Sequence, residues 1–371
     1  MLRSTSYKSV STTLTHYLLL CFLGLPALAQ SRLDQLRKAL PSIMDSTATP
    51  GLSIAVIENG KVIWSNGLGV KDKDTKEQVT NETVFRGASL GKPLFAYAVL
   101  KLSEQGKIAL DTPLVAYVPR SYLETNFLKG SMTDDRMTLI TARMVLNHTS
   151  GLPNWRSEGK PVATMFTPGS RYSYSGEGYY LLQQVVEYLL KEPVEPFMQR
   201  TVFKPLGMNH TSYAYNPDSA NQYAHAYDMT GKFVADEQET VNVAHTVRTT
   251  ADDYAKFITA SMMQPGEAER VTKAILHLPV KTDICQPGRV SWGLGLAVQH
   301  TATGDLFCQW AKSPTASGYV IGSADKKIAV VYFVNIANQG LRMAERIVKL
   351  SLGYDDPLFS CFGVRPYNAK Q

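Results

Sequence analysis

Val84-Phe85-Arg86-Gly87-Ala88-Ser89-Leu90-Gly91-Lys92-Pro93-Leu94-Phe95-Ala96-Tyr97-Ala98-Val99-Leu100-Lys101-Leu102 opens as a Gly-Ala-Ser turn and continues as an apolar segment. Leu94, Tyr97, Ala98, Leu100 and Leu102 suit a helix buried on most of its surface, closed by Gly106. Ser89 falls at the helix start, with Lys92 one turn on and on the same face. That spacing brings an amine within reach of a hydroxyl. A serine is a weak nucleophile until a neighbouring base takes its proton, and a partly desolvated lysine helps. The free N–H groups at a helix start also favour a developing oxyanion.

Ser-x-x-Lys occurs three times, at Ser89/Lys92, Ser157/Lys160 and Ser323/Lys326. Ser157 lies in the polar run Ser157-Glu158-Gly159-Lys160-Pro161 and Ser323 in a turn, so both are expected on the solvated surface. Ser89 alone begins a buried helix. Its bland alternative is an N-cap serine beside a lysine that snorkels out.

The chain has 371 residues, 44% of them hydrophobic, enough for a large core in one compound domain or two lobes. Residues 1–29 read as a secretory signal. Arg3 and Lys8 precede an apolar core from Tyr17 to Leu25, and Ala27-Leu28-Ala29 is a small-x-small cleavage site. Periplasmic or secreted localisation follows as the expectation. No later stretch is long and apolar enough for a membrane helix. Without Arg3 and Lys8 the net charge falls from +6 to +4, with no basic run, which argues against a nucleic-acid partner. Cys285, Cys308 and Cys361 remain; export permits one disulfide and an odd count leaves a thiol over. The scattered histidines show no metal-ligand rhythm, so neither a metal nor another cofactor is expected.

Leu33 to Met44 has helical periodicity, and Gly51–Ile57 with Lys61–Trp64 around Asn59-Gly60 predicts a hairpin. Helices and loops dominate from 111 to about 284, with helices expected over Thr138–Asn147, Tyr179–Leu190, Phe197–Met208 and from Ala251. After Cys285, Ser291–Gln299, Leu306–Ala311, Tyr319–Gly322 and Ile328–Asn335 read as strands, and Arg342–Ser351 as a last helix. Strands at both ends with helices between predict an α/β (α+β) fold: an antiparallel sheet flanked by helices, built from both termini, plus an all-helical region. The expected organisation is a leader over 1–29 and one domain over 30–371, its α/β lobe at 30–110 and 285–371 and its helical lobe at 111–284.

Ser89-x-x-Lys92, His148-Thr149-Ser150-Gly151-Leu152-Pro153, Pro168-Gly169 before Tyr174-Ser175, and Lys204-Pro205-Leu206-Gly207-Met208 follow in that order. As an ordered set they resemble the penicillin-recognising serine hydrolases: class C β-lactamases, D-alanyl-D-alanine carboxypeptidases and related esterases. The resemblance spans most of 33–350 and implies the β-lactamase/transpeptidase-like fold, with the site between the sheet and the helical region. It implies Ser89 as nucleophile, Lys92 as its activator and Tyr174 as the tyrosine of the second motif. A lysine ammonium close by would favour the Tyr174 phenolate, which could then take the Ser89 proton. The loop His148–Pro153 is implied to be structural, not part of a triad.

Two departures bear on substrate. Gly176 stands where the family usually has an Asn that offers an amide to the acyl side chain. The best match to the third motif is Gln309-Trp310-Ala311, expected to bind substrate without the family's charge for a carboxylate. Strand alternation points Lys312 away from Gln309 and Ala311. Gly87-x-Ser89-x-Gly91 also fits a nucleophile elbow, but the helical middle and the lack of an oxyanion signature oppose an α/β-hydrolase. The resulting expectation is an exported serine hydrolase acting through an acyl-enzyme on small ester, amide or peptide substrates, esters foremost. The alternative is a catalytically weak or inactive penicillin-binding-like protein that binds cell-wall peptide or a partner.

Overall fold

The computed structural model describes residues 31–235, 239–266, 270, 274–276, 279–285, 287–355 and 358. The expected leader over 1–29 and Cys361 lie outside the described residues.

Helix α1 (residues 31–46) leads into the hairpin of β1 (Gly51–Glu58) and β2 (Lys61–Gly69). Helix α2 (Gly91–Glu104) follows, then the long connection that carries α3 (Gly176–Leu190) and α4 (Ala251–Met262). The chain returns through β3 (Val280–Lys281), β4 (Val290–Trp292), β5 (Ala297–Thr301), β6 (Gly304–Lys312), β7 (Ser317–Ser323) and β8 (Ile328–Val334) to α5 (Gln339–Leu352). The strands form one eight-stranded sheet in the order β2-β1-β8-β7-β6-β5-β4-β3. Every pairing within this sheet is antiparallel, and β1 joins β8 with Ile54 opposite Tyr332.

Both faces of the sheet are covered, so its central strands are apolar throughout rather than alternating. In β1, Leu52, Ile54 and Val56 enter one core and Ala55 and Ile57 the other. In β8 the same split puts Val330, Tyr332 and Val334 on one side and Ala329, Val331 and Phe333 on the other. The first core is closed by Leu36, Leu40 and Ile43 of α1 and by Leu341, Ala344 and Ile347 of α5, at helical spacing. The second surrounds α2, whose residues from Gly91 to Leu100 are all buried, and extends into the helical region. Pro93 falls in the first turn of α2, where its missing N–H costs no helix hydrogen bond.

Local signals misled at four places. The strand expected over Ser291–Gln299 is two strands, β4 and β5, because Gly295 at φ +99° reverses the chain. The Gly295 N–H donates to Leu146 O at 2.9 Å and ties this turn to the helical region. The helix expected over Thr138–Asn147 is a 3-10 stretch Asp135–Leu139 and an α-helix Ala142–Leu146, divided where Thr141 caps the second. Phe197–Met208 is the end of a helix Val194–Met198 followed by a π-turn Gln199–Phe203. Ser323 is buried, not solvated, and accepts from the Lys326 N–H at 3.3 Å; Ser157 and Lys160 are exposed as expected. Cys285 is disulfide-bonded, while Cys308 lies buried inside the sheet core.

A methyl group at Gly295 would lie 2.4 Å from the Ala96 side chain of α2, in a backbone region that L side chains avoid. Gly106 also has positive φ (+69°), but a methyl there meets nothing within 4 Å. Gly295→Ala should therefore cost roughly 2–4 kcal/mol and Gly106→Ala about 1 kcal/mol, read from urea midpoints; equal losses would show that steric conflict with α2 is relieved.

Candidate active site

Ser89 sits in a 3-10 turn, Ala88–Leu90, that runs directly into α2. Ala88 before it has φ 43°, an uncommon conformation for a residue with a side chain and the kind of local strain that gathers at functional sites. The turn is pinned by the Gly87 N–H on Val247 O at 2.7 Å and by the Tyr254 hydroxyl on Leu90 O at 3.0 Å. Negative charge developing on a group bound at Ser89 would meet the N-terminal end of the α2 dipole.

Lys92 is fully buried beneath Ser89. Its Nζ donates to Ser89 Oγ at 3.1 Å and to Ala244 O at 2.8 Å. The rings of Tyr174, Trp155 and Tyr179 surround it, with centroids 4.9, 5.8 and 5.8 Å away. Among the described residues no carboxylate is recorded as its partner. Burial therefore dominates and lowers the ammonium pKa to about 7, leaving much of the amine neutral at neutral pH.

Tyr174 comes from the loop before α3. Its hydroxyl hydrogen-bonds with Ser89 and accepts from Gln309 Nε2 at 3.0 Å. Burial outweighs these bonds and pushes its pKa up to about 12. The sequence-based expectation of a favoured phenolate is thus corrected: Lys92 gives up its charge more readily than Tyr174 gives up its proton. The loop itself is clamped. The His148 ring lies 4.2 Å from the Tyr174 ring, its Nδ1 accepts from the Ser175 N–H at 3.1 Å, and Ser175 Oγ caps α3 through the Gly178 N–H at 2.8 Å. Buried and held well below the ordinary histidine pKa by desolvation, His148 is placed to orient the loop.

The third-motif stretch behaves differently from expectation. Gln309 is fully buried, and its amide is committed to Ser89 O at 3.2 Å and Tyr174 OH at 3.0 Å, so it braces the site rather than facing substrate. Ala311 packs into the α2 core. Trp310 and Lys312, on the opposite side of the strand, line the cavities at Ser89. Alternation is kept; what β6 turns toward the open site is its other side.

Two cavities of about 520 and 510 Å³ share Ser89, Asn154 and Lys312. Arg86, Trp155, Glu239 and His245 wall the first; Met165, Arg171, Tyr172, Tyr174 and Trp310 wall the second. A Cβ at Gly176 would lie 2.7 Å from Asn154 O and 2.8 Å from the Trp155 ring, so the loop leaves no room for a side chain there. Asn154 accepts the Gly176 N–H on Oδ1 at 3.1 Å and stands at Ser89 instead. Sequence reasoning missed Asn154, Glu239 and His245, because only the folded chain brings these separate segments to one cavity.

Ser291, His300 and Asp305 have the connectivity of a triad, with Ser291 Oγ to His300 Nε2 at 3.0 Å and His300 Nδ1 to Asp305 Oδ1 at 2.8 Å. They lie on β4, β5 and the start of β6, line neither cavity and offer no helix N-terminus for an oxyanion. A triad needs that third element, so this set reads as a cross-strand strut.

The family model for Beta-lactamase matches residues 36–352. A β-lactamase of Pseudomonas fluorescens is 28% identical over 62% of this chain and 66% of its own. Protein flp of Staphylococcus aureus (strain MRSA252) is 24% identical over 78% of this chain and 60% of its own, so the chain spans about three fifths of that relative. Among solved structures, an octameric penicillin-binding protein homologue from Pyrococcus abyssi superposes with TM-score 0.72 at 21% identity, over 88% of this chain and 79% of that one. The D-alanine carboxypeptidase AmpC from Burkholderia cenocepacia gives 0.71 at 20% identity, over 88% and 99%. Those two likenesses establish the β-lactamase/transpeptidase-like fold, and the family match shows that this chain belongs to the β-lactamase family of serine hydrolases.

Proposed function

We propose that this chain hydrolyses esters through an acyl-enzyme on Ser89. The observation that carries the reading is a buried, partly neutral Lys92 amine 3.1 Å from Ser89 Oγ. Lys92 Nζ takes the Ser89 proton as Oγ attacks the carbonyl carbon. Tyr174, still a phenol at neutral pH, gives its proton to the departing alkoxide and recovers one from Lys92. The net transfer is one proton from Ser89 to the leaving group. Gln309 holds the phenol oxygen over Ser89 throughout.

Esters are favoured because of what the site does not offer. No side chain projects from Gly176, and the Gln309 amide is already engaged. An activated ester asks for a nucleophile, a proton shuttle and an oxyanion site; a β-lactam or D-Ala-D-Ala peptide also draws on contacts to its acyl side chain and carboxylate. Losing a charged hydrogen bond costs roughly 1.5–3 kcal/mol. Export is part of the same proposal, resting on Arg3, Lys8, the Tyr17–Leu25 core and the Ala27-Leu28-Ala29 site.

A fluorophosphonate probe should label the wild-type protein and Ser291→Ala equally, and Ser89→Ala not at all; labelling that survives Ser89→Ala in a folded protein would end the Ser89 assignment. Purified protein should turn over a short aryl ester with higher kcat/KM than a chromogenic cephalosporin, and the reverse ranking would remove the argument from Gly176 and Gln309. Gln309→Leu should release Tyr174 and slow acylation by about tenfold for neutral and carboxylate-bearing esters alike, since the bond lost orients a proton shuttle. A loss confined to carboxylate-bearing esters would make Gln309 a substrate contact after all.

A further inference from the structure

The acyl-enzyme reading accounts for how Ser89 is loaded and leaves open what activates the water that unloads it. Lys92 lies wholly buried beneath Ser89, bonded to Oγ and to Ala244 O. Tyr174 faces the second cavity. The first cavity, of about 520 Å³, is large enough to admit water beside Ser89 and has its own titratable wall. Arg86 and Lys312 are cations there, which leaves His245 and Glu239 as the groups that can accept a proton among the described lining residues.

His245 and Glu239 form an ordered pair. Glu239 Oε2 lies 3.5 Å from His245 Nδ1, and its other oxygen lies 3.6 Å from Arg86 Nη1. The Trp155 ring meets the His245 ring edge-on at 5.2 Å and 88°. The main chain ties this histidine to the nucleophile's base, because the carbonyl that holds Lys92 Nζ belongs to Ala244, the preceding residue. A carboxylate this close to Nδ1 favours the tautomer that carries its proton there, which leaves Nε2 as the nitrogen that accepts one.

We infer that His245, oriented by Glu239, is the general base for deacylation, taking a proton from water that enters through the first cavity. The inference rests on the acyl-enzyme reading. Water oxygen bonds to the acyl carbonyl carbon while one water proton passes to His245 Nε2. The carbon–Oγ bond then breaks. Ser89 Oγ takes a proton from the Tyr174 phenol, which is restored from His245 through solvent, and the acid product departs. One water is consumed and the enzyme returns to its starting protonation.

The groups around His245 suit the task. Burial lowers its pKa below the ordinary histidine value; Glu239 opposes that shift, and the charges of Lys92, Arg86 and Arg248 reinforce it. The imidazole is therefore mainly neutral at pH 7 and free to accept a proton. The two half-reactions should then titrate apart. The acid limb of kcat/KM, governed by Lys92, should fall near pH 7. The limb of kcat, where deacylation limits, should fall below pH 6.5.

Stopped-flow hydrolysis of p-nitrophenyl acetate by the full chain, with intact-protein mass spectrometry, separates the steps. In His245→Gln the acylation burst should keep its rate within about threefold, while kcat drops by on the order of 10² and acetyl-enzyme accumulates, the worth of a positioned base. Glu239→Gln should lower kcat less and move its acid limb to lower pH, because removing the carboxylate lowers the histidine pKa. An unchanged kcat in His245→Gln, or a burst that falls in step with kcat, would overturn the role of His245 while leaving Ser89 acylation in place. A wild-type protein that shows no acetyl-enzyme and no Ser89 labelling would overturn both.

Discussion

Burying one lysine with no carboxylate partner among the described residues is the constraint on which the site depends. Desolvation takes the Lys92 pKa down to about 7, against which the surroundings return two neutral hydrogen-bond acceptors, Ser89 Oγ and Ala244 O, and a ring of aromatic faces. The same burial raises Tyr174 to about 12, so two neighbouring groups are driven apart in proton affinity by one environment. The amine becomes an acceptor and the phenol stays a donor. Opposed shifts of this kind are how acid and base roles divide at neutral pH. The arrangement costs stability, because the unfolded chain holds a fully charged lysine at pH 7 and the fold holds one that is only partly charged.

What keeps Lys92 buried is the packing of α2 against both the sheet and the helical region. Its N-terminal turn is held by Val247 and Tyr254, and the Tyr213 hydroxyl reaches Gly91 O at 2.5 Å. β6 lies against that turn, and Gln309 crosses to Ser89 O and Tyr174 OH. The Tyr174 loop is fastened in turn to residues 148–156, where Arg156 pairs with buried Glu177 at 2.6 Å. Each of these elements comes from a different part of the chain. Ser89, Lys92 and Tyr174 are therefore held by rigid supports, as the proposed active site requires.

The altered motifs read differently once they are in place. Gly176 is a position where the Asn154–Trp155 loop closes over the space, so a side-chain amide there would not fit without moving that loop. Gln309 has exchanged a substrate-facing role for an internal one, and its buried Oε1 finds no recorded partner among the described residues. Lys312 brings a positive charge to the rim shared by both cavities, although alternation sets it on the other side of β6 from Gln309. These changes alter what the cavity presents to substrate without moving Ser89, Lys92 and Tyr174 apart.

Much of this was legible in sequence because it depends on local order. The buried helix after Ser89 shows in the run from Leu94 to Leu102; the hairpin shows in Asn59-Gly60; the family shows in the ordered motifs from Ser89 to Met208. Elements failed where one residue's backbone outweighed its neighbours' propensities, as at Gly295, or where a cap divided a helix, as at Thr141. By itself the sequence determined the sheet-and-helix architecture and which serine, lysine and tyrosine belong together, since those follow from periodicity and motif order. Only the tertiary structure decided which of Lys92 and Tyr174 holds the proton, that Gln309 braces the site, and that His245 and Glu239 face the Ser89 cavity. Those outcomes depend on desolvation and on contacts between segments more than a hundred residues apart, and neither quantity is written in local sequence.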